Sequence, residues 1–300
     1  MRLLTRSDFD GLACAVILKE IGVIDDWLFV HPKDLQDGAV AVTKDDLLAN
    51  VPYVKGCGMW FDHHSSETER VGDVDAKGLV LRLDSAARVI WQYYRGVFDL
   101  SKFDAMLAAV DKVDSAKLTA REVLNPEGWT LLGFVMDPRT GLGRFRDFRI
   151  SNYQLMDMMI DACGRLGIDD ILALPDVKER IDLYNEHQKL FTDMLNKHSA
   201  AQNNVLVTDL RGVETIYAGN RFLVYSLFPE QNISIWVVDG KNKQNCVIAV
   251  GHSIINRTNL NDVGSIMLRY GGGGHRQVGT CQVPYEDADR VISELCDVLQ

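Results

Sequence analysis

Short apolar segments alternate with helical patterns through the first half of the chain. Residues 2–5 and Gly58–Phe61 are compact apolar runs that predict strands, whereas Gly11–Gly22 repeats apolar positions at helical spacing. The other predicted elements are strands at Trp27–His31 and Gly38–Thr43 and helices at about 84–96, 102–110, 152–163 and 176–199. This alternation predicts an α/β fold with a mostly parallel sheet, in which ligands bind at the carboxyl ends of the strands.

The pattern changes after residues 176–199, a charged segment without Gly or Pro that predicts a helix connecting two lobes. The segments that follow are β-rich: Val205–Asp209, Glu214–Ala218, Phe222–Phe228, Ile233–Asp239 and Cys246–Ile254. A helix near 261–270, a strand at 279–283 and a helix at 286–299 complete the predicted elements. We therefore expect a parallel-sheet domain at 1–175, a connecting helix at 176–199 and a smaller α+β domain at 200–300, with a cleft between the two domains.

Composition narrows the classes of partner. The chain has 300 residues, of which 47% are hydrophobic, so it can bury a large core. Its formal net charge of −10 argues against a general nucleic-acid coat protein, because nonspecific binding to DNA depends on a basic surface. A small phosphorylated substrate held in one local pocket remains compatible with this charge.

Cysteines and apolar runs indicate the compartment. The six cysteines are scattered and form no Cys-x-x-Cys pair, which is typical of buried thiols in a reducing environment. No apolar run approaches the roughly 18 residues that a bilayer-spanning helix needs, and the amino terminus lacks the pattern of a signal peptide. The expected protein is soluble and cytoplasmic, without a membrane partner.

Two aspartates flank Phe9 at the predicted turn from the first strand into the first helix. In an extended turn, Asp8 and Asp10 can each reach a different metal ion, and the helix that begins at Gly11 offers its positive end to a phosphate. The alternative is structural: Asp10 caps the helix and Asp8 faces solvent.

Asp62, His63 and His64 follow a Met-Trp-Phe strand and offer a carboxylate and two imidazoles, a ligand set that suits manganese. They could instead be residues of a surface loop. Asp111 and Asp114 end an alanine-rich helix, and either can bridge two metal ions; the alternative is an exposed helix end.

An arginine-rich segment contains Phe145 and Phe148, whose rings can stack on bases. Its arginines are Arg139, Arg144, Arg146 and Arg149. Such runs are usually solvated faces, but this one lies in a turn-rich loop. It is therefore a candidate for contact with substrate or with a second subunit, and a homodimer is one assembly that the pattern allows.

Four consecutive glycines, Gly271–Gly274, precede His275 and Arg276. A backbone without Cβ atoms can approach a phosphate closely and direct its N–H groups toward it. Arg257 lies after a predicted strand and can pair with a phosphate through two hydrogen bonds. The motifs near the amino terminus thus predict a metal site, and those near the carboxyl terminus predict a phosphate site.

Taken in order, these motifs resemble the DHH phosphoesterase superfamily with its DHH-associated carboxyl-terminal domain, and the group labelled exopolyphosphatase-related in particular. The resemblance covers nearly the whole chain. It implies two Mn²⁺ ions about 3.5–4 Å apart, with a water between them that attacks phosphorus. It also implies metal ligation by Asp8, Asp10, His63 and either Asp111 or Asp114, and phosphate binding by His64, Arg257, Gly272, Gly273, Gly274 and His275. Asp62, His64 and Arg6 are the candidates for catalytic roles, and Arg144 and Arg146 for further substrate contacts.

The chain departs from the family pattern at two places. Many members carry a histidine shortly before the first aspartate, where this chain has Leu4 or Arg6. The family also places an aspartate at the end of the strand that precedes the DHH strand. Here Asp45, Asp46 and Asn50 are the alternatives, and Asn50 would remove a negative bridge from the metal centre.

Two functions follow from the sequence. The first is hydrolysis of a phosphodiester or phosphoanhydride in a short oligonucleotide, a dinucleotide or polyphosphate, with the aromatic residues of the arginine segment favouring a nucleotide. The second is binding of a phosphorylated ligand without turnover, in which case the centre holds no metal ion. The two departures from the family pattern also allow a centre with one metal ion that is weakly active or only binds its ligand.

Overall fold

The computed structural model describes residues 1–64, 71–72, 74–145 and 147–300. The chain divides into two compact units. Unit 1 comprises Met1–Lys117 and Pro126–Tyr184, and unit 2 comprises Leu118–Asn125 and Asn185–Gln300. The boundary between Tyr184 and Asn185 falls inside the longest described helix, Pro175–His198. Each unit is built from two separate stretches of the chain.

Unit 1 contains a parallel sheet whose described strands lie in the order β2-β1-β3-β4-β5. The strands are β1 (Arg2–Thr5), β2 (Asp26–Phe29), β3 (Asp46–Ala49), β4 (Met59–Asp62) and β5 (Lys77–Val80). The chain runs outward from β1 to β2 and then returns to β3 on the other side of β1. This reversal opens a crevice at the carboxyl ends of β1 and β3, the position at which sheets of this kind bind ligands.

Helices cover this sheet. They are α1 (Phe9–Glu20), α2 (Pro32–Gln36), α3 (Ala86–Tyr94), α4 (Asp104–Asp114), α6 (Gly128–Met136), α7 (Asn152–Arg165) and α8 (Ile168–Ala173). Two further helices are not confined to unit 1: α5 (Ala120–Leu124) belongs to unit 2, and α9 (Pro175–His198) spans both units. Helix α1 is buried continuously from Phe9 to Leu18 and contacts α3, α4 and α7. A helix that is apolar on all sides belongs to a protein interior, so α1 holds the aspartates at its start in a fixed place.

Unit 2 contains a mixed sheet with described strands in the order β10-β11-β9-β8-β7-β6. The strands are β6 (Ser199–Gln202), β7 (Val205–Asp209), β8 (Ile233–Asp239), β9 (Cys246–His252), β10 (Gly273–His275) and β11 (Val278–Val283). Its remaining helices are α10 (Leu223–Leu227), α11 (Val263–Leu268) and α12 (Tyr285–Leu299). Apolar residues of α11 and α12 pack on the inward positions of β7, β8, β9 and β11 to form one core. Together the two sheets confirm the predicted fold class, a parallel α/β part followed by an α+β part.

One strand of unit 1 was assigned to the wrong segment. Gly38–Thr43 was predicted as a strand but is not one, and the strand is Asp46–Ala49. Val40 and Val42 are only partly buried and pack against the edge of a core cluster, so their alternation reflects local packing. All four residues of β3 are buried, including Asp46, whose charge disguised the strand.

Two predicted strands of unit 2 are also wrong. Phe222–Phe228 contains the short helix α10, because a brief buried apolar run has the same composition in either conformation. Glu214–Ala218 forms no strand, and the Ala218 N–H donates to Nδ1 of His187 instead of to a neighbouring strand. Among the described residues, no helix combines the length and hydropathy needed to span a bilayer.

Candidate active site

The turn between β1 and α1 positions the first two candidate ligands. Asp8, and not Asp10, caps the helix: its backbone is extended and its Oδ1 accepts a hydrogen bond from the Gly11 N–H at 3.0 Å. A Cβ at position 11 would collide with the Arg6 carbonyl oxygen, so the turn requires glycine. Asp8 is buried, which excludes the alternative in which it faces solvent.

Asp10 is held from the opposite direction by the start of α3. Its two carboxylate oxygens accept hydrogen bonds from the N–H groups of Ala86 at 2.9 Å and Ala87 at 2.8 Å. Burial, reinforced by the negative charges of Asp114 and Asp8, raises the pKa of Asp10 well above its ordinary value. A buried carboxylate among other carboxylates needs a cation to stay ionised, and backbone hydrogen bonds alone do not supply one.

His63 points its free ring nitrogen at two of these carboxylates. Its Nδ1 lies 3.2 Å from the Leu83 carbonyl oxygen, which assigns the ring proton to Nδ1. The buried Nε2 makes no hydrogen bond to any described residue, and it lies 3.3 Å from Oδ2 of Asp114 and 3.8 Å from Oδ2 of Asp10. Ligand atoms of these three residues all lie within 4.8 Å of one another. Because a backbone acceptor on one ring nitrogen leaves the other with a lone pair, this arrangement fits a divalent metal ion.

Asp62 and His64 form the adjoining part of the cluster. Asp62 is fully buried, and its Oδ1 accepts hydrogen bonds from the His63 N–H at 2.9 Å and from Nδ1 of His64 at 2.8 Å. Its Oδ2 is buried and has no hydrogen-bond partner among the described residues. Burial lowers the pKa of His64, but the hydrogen bond and charge of Asp62 outweigh it, so the net shift is upward.

The two aspartates at the end of α4 have different surroundings. Asp114 lies with Asp10 and His63, whereas Asp111 accepts hydrogen bonds from Ser85 Oγ at 2.7 Å and from Nε of Arg88 at 2.8 Å. Asp111 therefore joins α4 to the start of α3. Burial raises the pKa of Asp114, as expected for a carboxylate inside the cluster.

The family places an aspartate at the end of the strand that precedes the DHH strand, and the structure distinguishes the three alternatives for it in this chain. Asp46 pairs with Arg2 at the amino ends of the strands, with 2.7 Å between Arg2 Nε and Asp46 Oδ1, and Asp45 precedes it. Asn50 follows the carboxyl end of β3, where its Nδ2 donates to Oδ1 of Asp8 at 3.0 Å. The other Asp8 oxygen lies 3.2 Å from Arg6 Nε. An amide and a guanidinium thus adjoin Asp8.

Arg139 belongs to the arginine-rich segment, and the sequence did not indicate that it lies beside the candidate metal ligands. It lines the same pocket as Asp8, Asp10 and Asp114, and its Nε bonds both oxygens of Asp137, at 2.8 and 3.1 Å. Burial opposes its charge, but the neighbouring carboxylates raise its pKa, so the guanidinium stays protonated. The Asp-Pro-Arg turn was the available signal, because its aspartate orients an arginine two residues later.

Most of the remaining arginine segment has structural contacts. The guanidinium of Arg180 lies 4.2 Å from the centre of the Phe148 ring and donates to the Ile150 carbonyl oxygen at 2.7 Å. Phe148 therefore supports a buried arginine instead of presenting a free ring for a base. Arg144 packs over Gly141, and Arg146 lies outside the described residues.

The glycine run forms β10 and the turn before it. Cβ atoms at Gly272 and Gly274 would collide with the carbonyl oxygens of Thr280 and Val278 on β11, so close packing of the hairpin requires glycine there. At Gly273 a Cβ would meet only a Leu268 side-chain atom at 3.9 Å. Close packing against β11 therefore explains the glycines at positions 272 and 274, in addition to any ligand that the run binds.

His275 and Arg257 lie at the same end of the unit 2 sheet. His275 ends β10 opposite Val278, and Val278 pairs with Gly251 near the end of β9. The segment that carries Arg257 leaves β9 at this end, where Nε of Arg257 donates to the Ile254 carbonyl oxygen at 2.9 Å. The topology of unit 2 thus gathers the candidate phosphate-binding residues.

The fold matches several solved structures. A scan against models of protein families and a search of curated proteins each found no match. RecJ from Thermus thermophilus in complex with Mn²⁺ aligns with a TM-score of 0.59 and 14% identity over 99% of this chain and 51% of that one. An exopolyphosphatase-related protein from Bacteroides fragilis aligns with a TM-score of 0.55 and 11% identity over 99% and 91%. At these identities the likeness establishes the fold.

A third structure is much more similar. PggH from Vibrio cholerae, a pGpG-specific phosphodiesterase, is 49% identical over 99% of this chain and 98% of its own, with a TM-score of 0.85. The chain therefore belongs to the DHH phosphoesterase superfamily, and its class of activity is that of a phosphoester hydrolase.

Proposed function

We propose that the protein is a divalent-metal-dependent phosphodiesterase that hydrolyses the linear dinucleotide pGpG. The observation that carries the proposal is the 49% identity to PggH along essentially the whole of both chains, combined with the cluster of Asp10, His63 and Asp114. Water attack on the internal phosphorus, with departure of the 3′ oxygen, converts pGpG into two guanosine monophosphates.

Each part of the proposed reaction has a candidate group. Asp10, His63 and Asp114 would hold a metal ion, with Mn²⁺ the favoured ion. When bound, such an ion lowers the pKa of water and offsets the charge of the phosphate. Two cations of the described chain, Arg139 and Arg6, lie beside this cluster and would contact the phosphate oxygens. His64, supported by Asp62, would hold a further phosphate oxygen or the leaving group.

Unit 2 would bind the rest of the substrate. We propose that His275, Arg257 and the backbone N–H of Gly273 bind the terminal phosphate of the dinucleotide. This role is supported by their gathering at one end of the sheet and by the open space beside Gly273. We further propose a cytoplasmic location, which the six buried cysteines without disulfide partners support.

The test is a substrate screen with chelator-treated protein that has been reloaded with Mn²⁺. Chromatography would follow turnover of pGpG, pApA, cyclic di-GMP, adenosine bisphosphate and polyphosphate, with His63→Ala as the inactive control. We expect turnover of pGpG above all others. Faster turnover of polyphosphate, or binding of pGpG without turnover by metal-loaded protein, would overturn the proposal.

A further inference from the structure

Resting on the proposed function, we infer that the catalytic centre binds a single divalent ion. Asp10, His63 and Asp114 bind it, and the Arg6 guanidinium together with the Asn50 amide takes the place of a second ion beside Asp8. The centre would thus differ from a two-ion site in how it provides positive charge.

The half of the cluster that takes the ion has unused ligand atoms. Within the part of the chain that the structure describes, His63 Nε2 is buried, has no hydrogen bond and faces carboxylate oxygens of Asp10 and Asp114. The ligand atoms of buried Asp10 and of partly buried His63 and Asp114 lie within 4.8 Å of one another, and none of the three is a donor, so a cation satisfies the position between them. The backbone hydrogen bonds to Asp10 orient this carboxylate without neutralising it.

The Asp8 half has the opposite character, because donors already surround its carboxylate. Oδ1 accepts from the Gly11 N–H and from Asn50 Nδ2, both at 3.0 Å, and Oδ2 lies 3.2 Å from Arg6 Nε. Turning the Asn50 amide over would place its oxygen against a carboxylate oxygen, so the donor orientation is the favourable one. An ion bound here would have to displace the guanidinium and lie beside an NH₂ group.

The net positive charge beside Asp8 is the same in a two-ion site and in the arrangement of this chain. A divalent ion accompanied by a carboxylate at position 50 contributes one net positive charge beside Asp8. A guanidinium accompanied by an amide at position 50 contributes the same net charge. The Arg6 and Asn50 pair therefore replaces an ion and its bridging ligand together, which explains why both departures from the family pattern occur in one chain.

Position 50 tolerates the reverse substitution. Asn50 has φ of 56°, in the left-handed region that asparagine and aspartate both adopt more readily than other residues. Asn50→Asp therefore changes the charge with little change in backbone strain. The pair Arg2 and Asp46 at the amino ends of the same two strands supplies a matched control.

The experiment measures the number of Mn²⁺ ions bound per full-length chain by calorimetry, together with electron paramagnetic resonance spectra. The unmodified protein should bind one equivalent and give the spectrum of an isolated ion. The variant that combines Arg6→His and Asn50→Asp should bind two equivalents and show exchange coupling, whereas Arg2→His should still bind one. His63→Ala should bind none.

Two coupled ions in the unmodified protein would overturn the inference, and this result does not depend on any variant folding. A double variant that is folded by circular dichroism and still binds one ion would also overturn it. Turnover of pGpG with two ions would sink this inference and leave the proposed function standing. One bound ion without turnover would do the reverse.

Discussion

The two units carry their polar residues in opposite ways. In unit 1, Asp8 and Asp10 are buried beneath the crevice and fixed by backbone hydrogen bonds, so the local charge is dense and negative. In unit 2, His275 and Arg276 are exposed at the end of a sheet, as is Arg257, so the positive charges of the two arginines face solvent. The comparison teaches that burial accompanies the groups proposed for the chemistry, whereas exposure accompanies those proposed to capture the substrate.

The sharpest test of the comparison is His63→Ala. A direct metal ligand should matter more than a residue that merely supports one, for which losses of about 10–100-fold are typical, so we expect more than about a 100-fold loss of kcat/KM. Mn²⁺ binding should be lost in parallel, as measured by calorimetry. His198→Ala, on the long helix α9, is the control. Retention of both metal binding and turnover in His63→Ala would contradict the assignment.

A second test separates two aspartates on one helix. Asp114→Asn should weaken Mn²⁺ binding by more than about tenfold. Asp111→Asn should leave it unchanged and lower the free energy of unfolding by about 1–3 kcal/mol, because the hydrogen bonds to Arg88 and Ser85 weaken. Metal titration and denaturant unfolding of both variants supply the answer. If Asp111→Asn is the variant that loses metal, the ligand set is wrong.

The exposed groups of unit 2 predict a milder effect. His275→Ala should raise the KM for pGpG about tenfold and leave kcat nearly unchanged, because a lost hydrogen bond to a charged phosphate weakens binding without removing the nucleophile. Steady-state kinetics with saturating Mn²⁺ check this. A fall in kcat at constant KM would place His275 with the chemistry and break the distinction between the units.

The smallest effect is expected in the arginine segment. Phe148→Ala should lower the free energy of unfolding by about 1 kcal/mol, because Arg180 loses the ring beneath its guanidinium. The KM for pGpG should stay the same, as kinetic assays beside thermal unfolding will measure. A raised KM at unchanged stability would instead assign the ring to a base of the substrate.

Several of these residues were accessible from the sequence because their signals are local. The Asp-x-Asp-Gly turn and the aspartate that ends β4 follow apolar strands directly, so their position at the carboxyl ends of the strands required no tertiary information. Fold class followed from the same alternation. Arg6 also differs from the family pattern in the sequence, but only the structure gives its contact with Asp8.

The roles of other residues could not be predicted, because they depend on tertiary distances that the spacing of residues along the sequence does not give. Asn50 could be separated from Asp46 only by the strand register, which pairs Thr5 with Ala49 and places Asn50 beside Asp8. Asp111 and Asp114 are one helical turn apart, and only the packing of α4 against α3 decides between them. Ala86 and Ala87 hold Asp10 with backbone N–H groups, so their side chains carried no signal at all.

The return of the chain into unit 2 constrains the order of folding. Leu118–Asn125 belongs to unit 2 but is made long before the rest of it, and the Val123 carbonyl oxygen finds its partner, the Asn220 amide, 97 residues later. Unit 1 in turn is completed only when Tyr184 has been synthesised. Neither unit can therefore mature on the ribosome as an isolated stretch of sequence. A fragment that begins at Asn185, where unit 2 resumes within α9, would lack Leu118 and Val123, whose side chains are buried in the intact protein.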